Sequence, residues 1–291
     1  MRNGSNFVRI KRKNHPSSMK TRSPLLKDTS KATFPALAEK IIEMSDIILE
    51  VLDARFITET RNSEFEGHVK KLGKKIIYVF NKADLIDRKK IKKEEIMDLA
   101  PRVFVSAITR RGGRELRDKI KITSSGIKNP IDKALKKVTV GIIGYPNTGK
   151  SSIINLLVGK PAAGIGADAG FTKGIQKVGL TNKIVLLDSP GVIPSKEYSS
   201  SEMFTASRHA KVGARSSSQV RSPEIVVSNL MKEYSTTFDE FYNVSSEGDA
   251  EILIEKLGRK KGFLKKNNEV NEDKTARLIL KDWQEGKIRI K

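Results

Sequence analysis

The sequence is informative first through what it lacks. It contains no cysteine, which excludes disulfide frameworks, zinc ribbons, iron–sulfur clusters and thiol nucleophiles. Its three histidines, His15, His68 and His209, are too far apart in sequence to suggest a metal site. No apolar run reaches the roughly eighteen residues that a membrane-spanning helix requires. No apolar signal-peptide core lies near Met1, so we do not expect secretion.

Acidic residues are scarce relative to basic ones. The 56 Lys and Arg residues against 34 Asp and Glu give a formal net charge of +22. Residues 1–140 carry 33 basic and 17 acidic residues, whereas residues 141–199 and 200–291 each have a net charge of only +3. Such an excess favours an acidic polymer as the partner. No helix-turn-helix or zinc-finger pattern appears, so we expect no DNA-reading element.

Residues 1–31 hold nine of the basic residues and a single acidic one. This segment is rich in Ser, Asn and Pro and has no sustained apolar period, so we expect it to be disordered when free. We favour a nucleic-acid-binding arm. A merely solubilising tail and a mitochondrial transit peptide are the alternatives.

Between residues 32 and 199, predicted strands alternate with predicted helices. The strands are expected at 47–52, 75–80, 102–106, 137–143, 175–180 and 183–187, and one of the helices at 90–99. This alternation predicts an α/β fold with a doubly wound, mainly parallel sheet. Ligands of such sheets bind at the carboxyl ends of the strands. Residues 200–291 read instead as a small all-helical C-terminal domain, with a flexible join at 206–221.

Residues 144–151 fit the pattern G-x-x-x-x-G-K-[ST] between a predicted strand and a predicted helix. In this context the glycines let backbone N–H groups turn toward phosphate oxygens, and the helix N-terminus adds positive potential. We expect Lys150 to bridge the β- and γ-phosphates and Ser151 to ligate Mg²⁺. The full predicted phosphate-binding set is Asn147, Thr148, Gly149, Lys150, Ser151 and Ser152.

A second polar segment, Asp-Ser-Pro-Gly at 188–191, follows the predicted strand 183–187. Asp188 suits an acid that supports the Mg²⁺ ion, and the Gly191 N–H group is a candidate donor to the γ-phosphate. Thr172, in a glycine-rich stretch, is a candidate to close on Mg²⁺ when the γ-phosphate is present.

A third segment, Asn81-Lys82-Ala83-Asp84, has the form N-K-x-D that reads guanine. The two oxygens of Asp84 match the N1–H and N2–H₂ donors of guanine, which adenine lacks. Lys82 is expected to pack along the base and Asn81 to tie the loop together. Ser106-Ala107 follows the next predicted strand, where the Ala107 N–H group would meet guanine O6.

These elements are complete, but their order is rotated along the chain. In Ras-like GTPases the phosphate loop comes first, whereas here the guanine-reading segment precedes it. The sequence resembles the circularly permuted GTPases that assist ribosome assembly. The segments 53–55, 60–62 and 276–288 add to the resemblance, which covers about residues 32–291.

The resemblance implies GTP/GDP and Mg²⁺ as ligands, and rRNA and the large ribosomal subunit precursor as partners. The implied catalytic residues are Lys150, Thr172 and Gly191. Val192 occupies the position where Ras-type enzymes carry a water-orienting Gln, which implies weak intrinsic hydrolysis. Asn147 matches a phosphate-loop asparagine that accompanies K⁺ use. A monomer is expected, in the cytoplasm rather than in a mitochondrion or nucleolus.

Permutation has a mechanical consequence. The chain leaves the nucleotide domain just after the second switch, near residues 192–200, so the helical domain is tethered to the loop that senses the γ-phosphate. We hypothesise that the GTP state reorients residues 200–291. The alternative function is a regulatory GTPase that signals to protein effectors or to an anionic membrane surface. The charge of +22 favours the ribosomal interpretation.

Overall fold

A six-stranded sheet forms the centre of the computed structural model, which describes residues 34–128, 130–131, 137–161, 175–193 and 203–290. The predictions for residues 1–31 and for Thr172 lie outside these ranges. The strands of the described part are β1 Ile47–Asp53, β2 Lys75–Asn81, β3 Arg102–Phe104, β4 Val138–Ile143, β5 Gln176–Gly179 and β6 Ile184–Asp188. Their order across the sheet is β3-β2-β1-β4-β6-β5. Every neighbouring pair is parallel except β5 and β6, so the predicted doubly wound, mainly parallel sheet is confirmed.

The described helices surround this sheet and form a further layer after it. They are α1 Phe34–Met44, α2 Ile57–Thr60, α3 Ser63–Lys71, α4 Lys93–Ile96, α5 Gly113–Ser125, α6 Lys150–Val158, α7 Met203–Lys211, α8 Pro223–Tyr242, α9 Ala250–Lys260 and α10 Glu272–Gln284.

The central strands are mostly apolar, with Glu50 and Thr139 as polar exceptions within β1 and β4, because both faces of the sheet are covered. Ile47, Leu49 and Val51 of β1 pack with α5 and α6 on one face. Ile48, whose side chain points the other way, packs with α1 and α3. All seven residues of β1 are buried. Helices on both faces therefore leave the two ends of the strands as the open sides of the sheet.

The long helix predicted at residues 90–99 is wrong. The segment instead holds a 3₁₀ turn at Arg88–Lys90, in which the Asp87 side chain accepts a hydrogen bond from Lys89 N at 3.0 Å, and the single turn α4. The run of basic residues at 88–93 would place positive charge at the N-terminus of a longer helix, where the helix dipole disfavours it. Leu99 is fully buried and Ile91 and Ile96 pack against the same core, whereas Met97 is exposed.

The helices α7 to α10 form a layer of their own, which we call the helical layer, and it confirms the predicted helical C-terminal region. Its core centres on Trp283 of α10, whose ring lies 5.4 Å from that of Phe238 and 4.9 Å from that of Tyr234. The same core also takes in Phe56, which follows β1, and Tyr145, which follows β4. Trp283 and Phe56 have ring centroids 5.8 Å apart. The apolar core of the helical layer is thus continuous with residues at the carboxyl ends of the two central strands.

Candidate nucleotide-binding site

The predicted site residues meet at one edge of the sheet. The chain runs from β1 outward to β2 and β3 on one side of the sheet, then crosses to β4 on the other side of β1, where β6 and the edge strand β5 complete the sheet, so the order reverses between β1 and β4. In open α/β sheets the crevice at the carboxyl ends of the strands beside such a reversal is the ligand site. Asp53, Asn81, Ile143 and Asp188 end β1, β2, β4 and β6 at this edge.

The loop at residues 144–149 has the backbone that a phosphate cradle requires. Gly144, Asn147 and Gly149 have φ values of 148°, 58° and 94°. A Cβ atom on Gly149 would lie 2.2 Å from Asn81 Nδ2, so the loop and the end of β2 pack too closely for a side chain there. Helix α6 begins directly after Gly149 and directs its free N–H groups into this loop.

Lys150, the first residue of α6, is buried and held by the loop itself. Its Nζ atom donates to the carbonyl oxygens of Gly144 at 3.1 Å and Tyr145 at 2.8 Å. Burial lowers the pKa of Lys150 to about 8, although the nearby Asp188 carboxylate acts in the opposite direction. An ammonium has three donors, so these contacts leave one for a phosphate oxygen.

Ser151 and Asp188 come together as a metal site requires. Ser151 Oγ donates to Asp188 Oδ2 at 3.0 Å. Asp188 Oδ1 is buried and accepts no hydrogen bond from any described residue. Burial raises the pKa of Asp188, opposed by Lys150 and by the Ser151 hydrogen bond. A hydroxyl and a carboxylate with an unused oxygen are hard oxygen donors, which fit Mg²⁺ held by protein and phosphate together.

At the base end, Asn81 joins both halves of the site. Its Nδ2 atom donates to the Thr148 carbonyl oxygen at 2.8 Å, and its Oδ1 atom accepts from Ala107 N at 3.3 Å. Asn81 therefore ties the loop together, with partners on the phosphate loop and on the loop after β3. The Ala107 N–H group, assigned to guanine O6 from the sequence, is here used by Asn81.

Asp84 and Lys82 lie on the turn after β2. Asp84 Oδ1 is buried and has no hydrogen-bond partner among the described residues, so a carboxylate oxygen is available where a guanine acceptor was predicted. Lys82 adopts the left-handed conformation, with φ 60° and ψ 30°. Its Nζ atom lies 2.8 Å from Asp53 Oδ2 at the end of β1. Burial lowers the pKa of Lys82, partly offset by Asp53.

Asp53 and Arg55, within the segment 53–55 that contributes to the resemblance, form an ion pair beside the base end of the site. Arg55 grips Asp53 with both ends of its guanidinium, Nε to Oδ1 at 3.0 Å and Nη2 to Oδ2 at 2.8 Å. Burial opposes the charged form of Asp53, but Arg55 and Lys82 outweigh it and hold its pKa below the usual value. The signal in the sequence was an acid directly after a buried strand, followed two residues later by an arginine.

The segment after β6 lies against the phosphate loop. A Cβ atom on Gly191 would be 2.5 Å from Pro146 Cα, and Val192 N donates to the Gly144 carbonyl oxygen at 3.2 Å. The Val192 side chain packs into the core beneath α1 and α3. It therefore does not reach into the site to orient water.

The remaining predicted residues take varied places. Thr148 and Ser106 are buried, and their hydroxyl groups bond within their own loops, to Tyr145 O at 2.9 Å and from Thr109 N at 3.0 Å. Ser152 lies half-buried in the first turn of α6. Asn147, assigned to K⁺ by resemblance, donates through Nδ2 to the Gly213 carbonyl oxygen of the helical layer at 2.8 Å.

With this geometry established, comparison with known proteins is informative. A family model described as "50S ribosome-binding GTPase" matches residues 139–244, which begin in the phosphate-loop strand β4. The guanine-reading segment at Asn81 lies upstream of that match, although both segments share one site. This chain has the fold and the motif order of the circularly permuted GTPases.

Several curated proteins are similar to this chain. An "Uncharacterized GTP-binding protein" of Methanocaldococcus jannaschii is 40% identical over 87% of this chain and 65% of that protein. "GTPase grn1" of Schizosaccharomyces pombe is 31% identical over 90% of this chain and 62% of that protein. "Nucleolar GTP-binding protein 2" of Saccharomyces cerevisiae is 34% identical over 86% and 51%. The chain thus spans between about half and two thirds of the length of these relatives.

The fold of this chain also occurs among solved structures. A structure titled "GNP-bound YlqF from T. maritima" aligns with a TM-score of 0.58 at 24% identity, covering 86% of this chain and 93% of that one. At this identity the similarity shows the fold alone. No helix within the described ranges has both the length and the hydropathy needed to cross a membrane.

Proposed function

We propose that this GTPase binds and hydrolyses GTP with Mg²⁺ and uses the nucleotide state to control its docking on rRNA of the large-subunit precursor. One observation carries the nucleotide part. The Asn81 side chain donates to Thr148 O at 2.8 Å across 67 residues, which joins the N-K-x-D segment and the phosphate loop in one site. Two short patterns that chance could place anywhere in a chain therefore meet at the same crevice.

The chain's own groups supply binding and charge neutralisation. Asp84 would accept the guanine donors, since its buried Oδ1 atom has no described partner. Lys150 would neutralise the β- and γ-phosphates, and Ser151 and Asp188 would hold Mg²⁺, which stabilises the charge that develops on the leaving phosphate oxygens. The Gly191 N–H group and Thr172 keep their predicted roles at the γ-phosphate and the metal.

Intrinsic hydrolysis should be slow. Val192 stands where a water-orienting side chain is expected, and it is packed into the core. The ribosomal particle and a K⁺ ion near Asn147 are the proposed sources of the missing stimulation. K⁺ binding through the Asn147 amide oxygen would compete with the geometry that holds its Nδ2 atom on Gly213 O. Equal hydrolysis rates in K⁺ and in Na⁺ would remove the cation from the proposal.

The RNA part rests on where the free charge lies. Exposed basic side chains follow the base-reading loops, and they are Arg88, Lys89, Lys90, Lys92, Lys93, Arg110, Arg111 and Arg114. A second group of basic residues, at 256–266, is less available, since Lys256 and Lys260 donate to backbone carbonyl oxygens at 2.8 and 2.9 Å. Folded RNA is recognised largely through phosphate and shape. We therefore place the main RNA-facing surface beside the base end of the site.

Relatives support the ribosomal assignment. The matching family model is described as ribosome-binding, and one of the relatives is named nucleolar. We propose the same work for this chain, with a division into a tail at 1–31, a nucleotide domain at 32–199 and a helical domain at 200–291. The proposed form is a monomer. The relative's name favours a nucleolar location over the cytoplasmic one where the cell has a nucleolus.

Cosedimentation with large ribosomal subunits tests the whole proposal. We expect more protein on the subunits with a non-hydrolysable GTP analogue than with GDP, and faster GTP hydrolysis when subunits are present. Bound protein should fall as salt rises, with log affinity linear in log salt. GTP binding by calorimetry without any binding to subunits would favour the signalling alternative.

A further inference from the structure

Four groups form a continuous buried chain of polar contacts from the base-reading turn to the helical layer. Lys82 Nζ lies 2.8 Å from Asp53 Oδ2, and the same oxygen accepts from Arg55 Nη2 at 2.8 Å. The third nitrogen of the guanidinium, Nη1, donates to the carbonyl oxygen of Trp283 at 2.9 Å. The side chains of Asp53 and Arg55 are each only 1% exposed.

The position of Trp283 explains why a cation is favourable at this end of the series of polar contacts. Trp283 lies in the last turn of α10, at the negative end of the helix dipole, and its carbonyl oxygen also accepts from Gly286 N at 3.1 Å. The Arg55 guanidinium is centred 5.9 Å from the Trp283 ring and 5.0 Å from the Phe56 ring. Arg55 is therefore bound both to a helix end and to the aromatic core of the helical layer.

Asp53 is the shared element. One of its oxygens serves both cations, so a movement of Lys82 toward a base changes the charge that remains to hold Arg55. A buried carboxylate between two cations responds strongly to such a change because the low local dielectric screens it little. The phosphate end offers no equivalent among the described residues, since its contact with the helical layer through Asn147 is uncharged.

We propose that Asp53 and Arg55 are positioning residues that couple the base-reading Lys82 to Trp283, so that guanine occupancy is transmitted to the helical layer from the base end of the site. This inference rests on the proposed GTP binding. It differs from a switch driven only by the γ-phosphate, because GDP alone should engage it. By reciprocity, a partner that moves α10 changes the affinity for guanine nucleotides by the same factor.

The sequence provides its own reporter, since Trp283 is its one tryptophan. GDP is titrated into the full chain while tryptophan fluorescence is recorded, and calorimetry measures binding independently. We expect a saturable fluorescence change whose midpoint matches the calorimetric Kd, with no change for ADP. Arg55→Lys, which cannot make the forked contact, should weaken GDP binding at least about fivefold, the lower end of measured couplings.

Lys82→Met is the decisive variant, because it removes the cation farthest from Trp283 and leaves the Asp53–Arg55 pair in place. At GDP concentrations that saturate it by calorimetry, the fluorescence change should be lost. Arg277→Lys is the matched control. Like Arg55, Arg277 donates two hydrogen bonds to a carboxylate, that of Asp273, and one to a carbonyl oxygen, that of Ser217. All of these contacts lie within the helical layer.

The outcomes separate the two proposals. Absence of calorimetric GDP binding in the wild type would remove the proposed function and this inference with it. GDP binding without a fluorescence change, or an undiminished change in saturated Lys82→Met, would overturn the inference alone. An equal loss of the fluorescence change in Arg277→Lys would also overturn the inference, because the signal would then report a general loosening of the helical layer.

Discussion

The two ends of the nucleotide site contact the helical layer through different kinds of interaction, one neutral and one charged. At the phosphate end, the attachment is a neutral hydrogen bond from Asn147 to Gly213 O, and the loop is shaped mainly by backbone conformation. At the base end, the attachment is a buried chain of charges that ends on Trp283 O. The phosphate end is thus built to hold a charged ligand, whereas the base end is built to hold the protein's own layers together.

Removing the phosphate-loop lysine should cause the largest loss of nucleotide affinity at either end of the site. Lys150→Ala would lose two charge-assisted hydrogen bonds to phosphate, one from the donor left free by the loop and one from a donor that phosphate would take over from a loop carbonyl oxygen, at roughly 1.5–3 kcal/mol each. This predicts a fall in GTP affinity of about 10²–10⁴-fold, since 1.36 kcal/mol is tenfold. Calorimetry measures it, with Lys160→Ala, an exposed lysine beyond α6, as the control. A change below tenfold would mean that the lysine does not face phosphate.

At the base end, the sharpest test changes specificity. Asp84→Asn replaces one acceptor with a donor, so guanine nucleotide affinity should fall about 10–100-fold, the equivalent of one charged hydrogen bond of roughly 1.5–3 kcal/mol. Xanthosine diphosphate should bind this variant better than it binds the wild type. Competition binding measures both. Asp87→Asn, three residues further on and exposed, should change neither, and intact GTP affinity in Asp84→Asn would disprove the guanine assignment.

The pH dependence of nucleotide affinity should report the protonation of Lys150 at the phosphate end. Burial lowers the pKa of Lys150 to about 8 in the free site, while a bound phosphate favours the protonated ammonium. Binding above pH 8 therefore takes up a proton, and affinity should fall about tenfold from pH 8.5 to 9.5. Lys150→Arg stays charged throughout, so its affinity should be flat over this range. A wild-type affinity that is flat as well would mean that Lys150 keeps its ordinary pKa.

The smallest expected effect is on stability and comes from removing the neutral hydrogen bond between Asn147 and Gly213. Asn147→Gly keeps the positive φ but removes the hydrogen bond to Gly213, so unfolding free energy should fall by about 0.5–1.5 kcal/mol. Urea unfolding measures it. Asn268→Gly is the control, because Asn268 also has positive φ, at 62°, but lies exposed in a loop of the helical layer. Equal losses in the two variants would show that the Gly213 contact contributes nothing.

The sequence was sufficient for the sheet and for the motifs at its edge. Continuous apolar runs predicted every described strand to within about two residues, and the rotated motif order predicted the permuted fold. Glycine and lysine patterns identified the phosphate loop because its chemistry depends on backbone and on a helix N-terminus, which leave a local signature.

What failed was determined by distant contacts. The three serines at 216–218 read as a flexible join, yet Ser217 N donates to Gln284 Oε1 at 3.0 Å and its carbonyl oxygen accepts from Arg277. No local pattern predicts that helix α8 continues past Tyr234, where the backbone leaves helical geometry, yet it resumes to Tyr242 and its Phe238 stacks on Trp283. The role of Arg55 was hidden because its partner lies 228 residues away.

That separation also orders events during synthesis. The base-reading turn is made early, the phosphate loop that Asn81 bonds comes 67 residues later, and the helix end that Arg55 caps comes later still. Arg55 cannot donate to its carbonyl partner on Trp283 until α10 has been synthesised. The base end of the site therefore gains its contact with the helical layer only once α10 has folded back onto the end of the first strand.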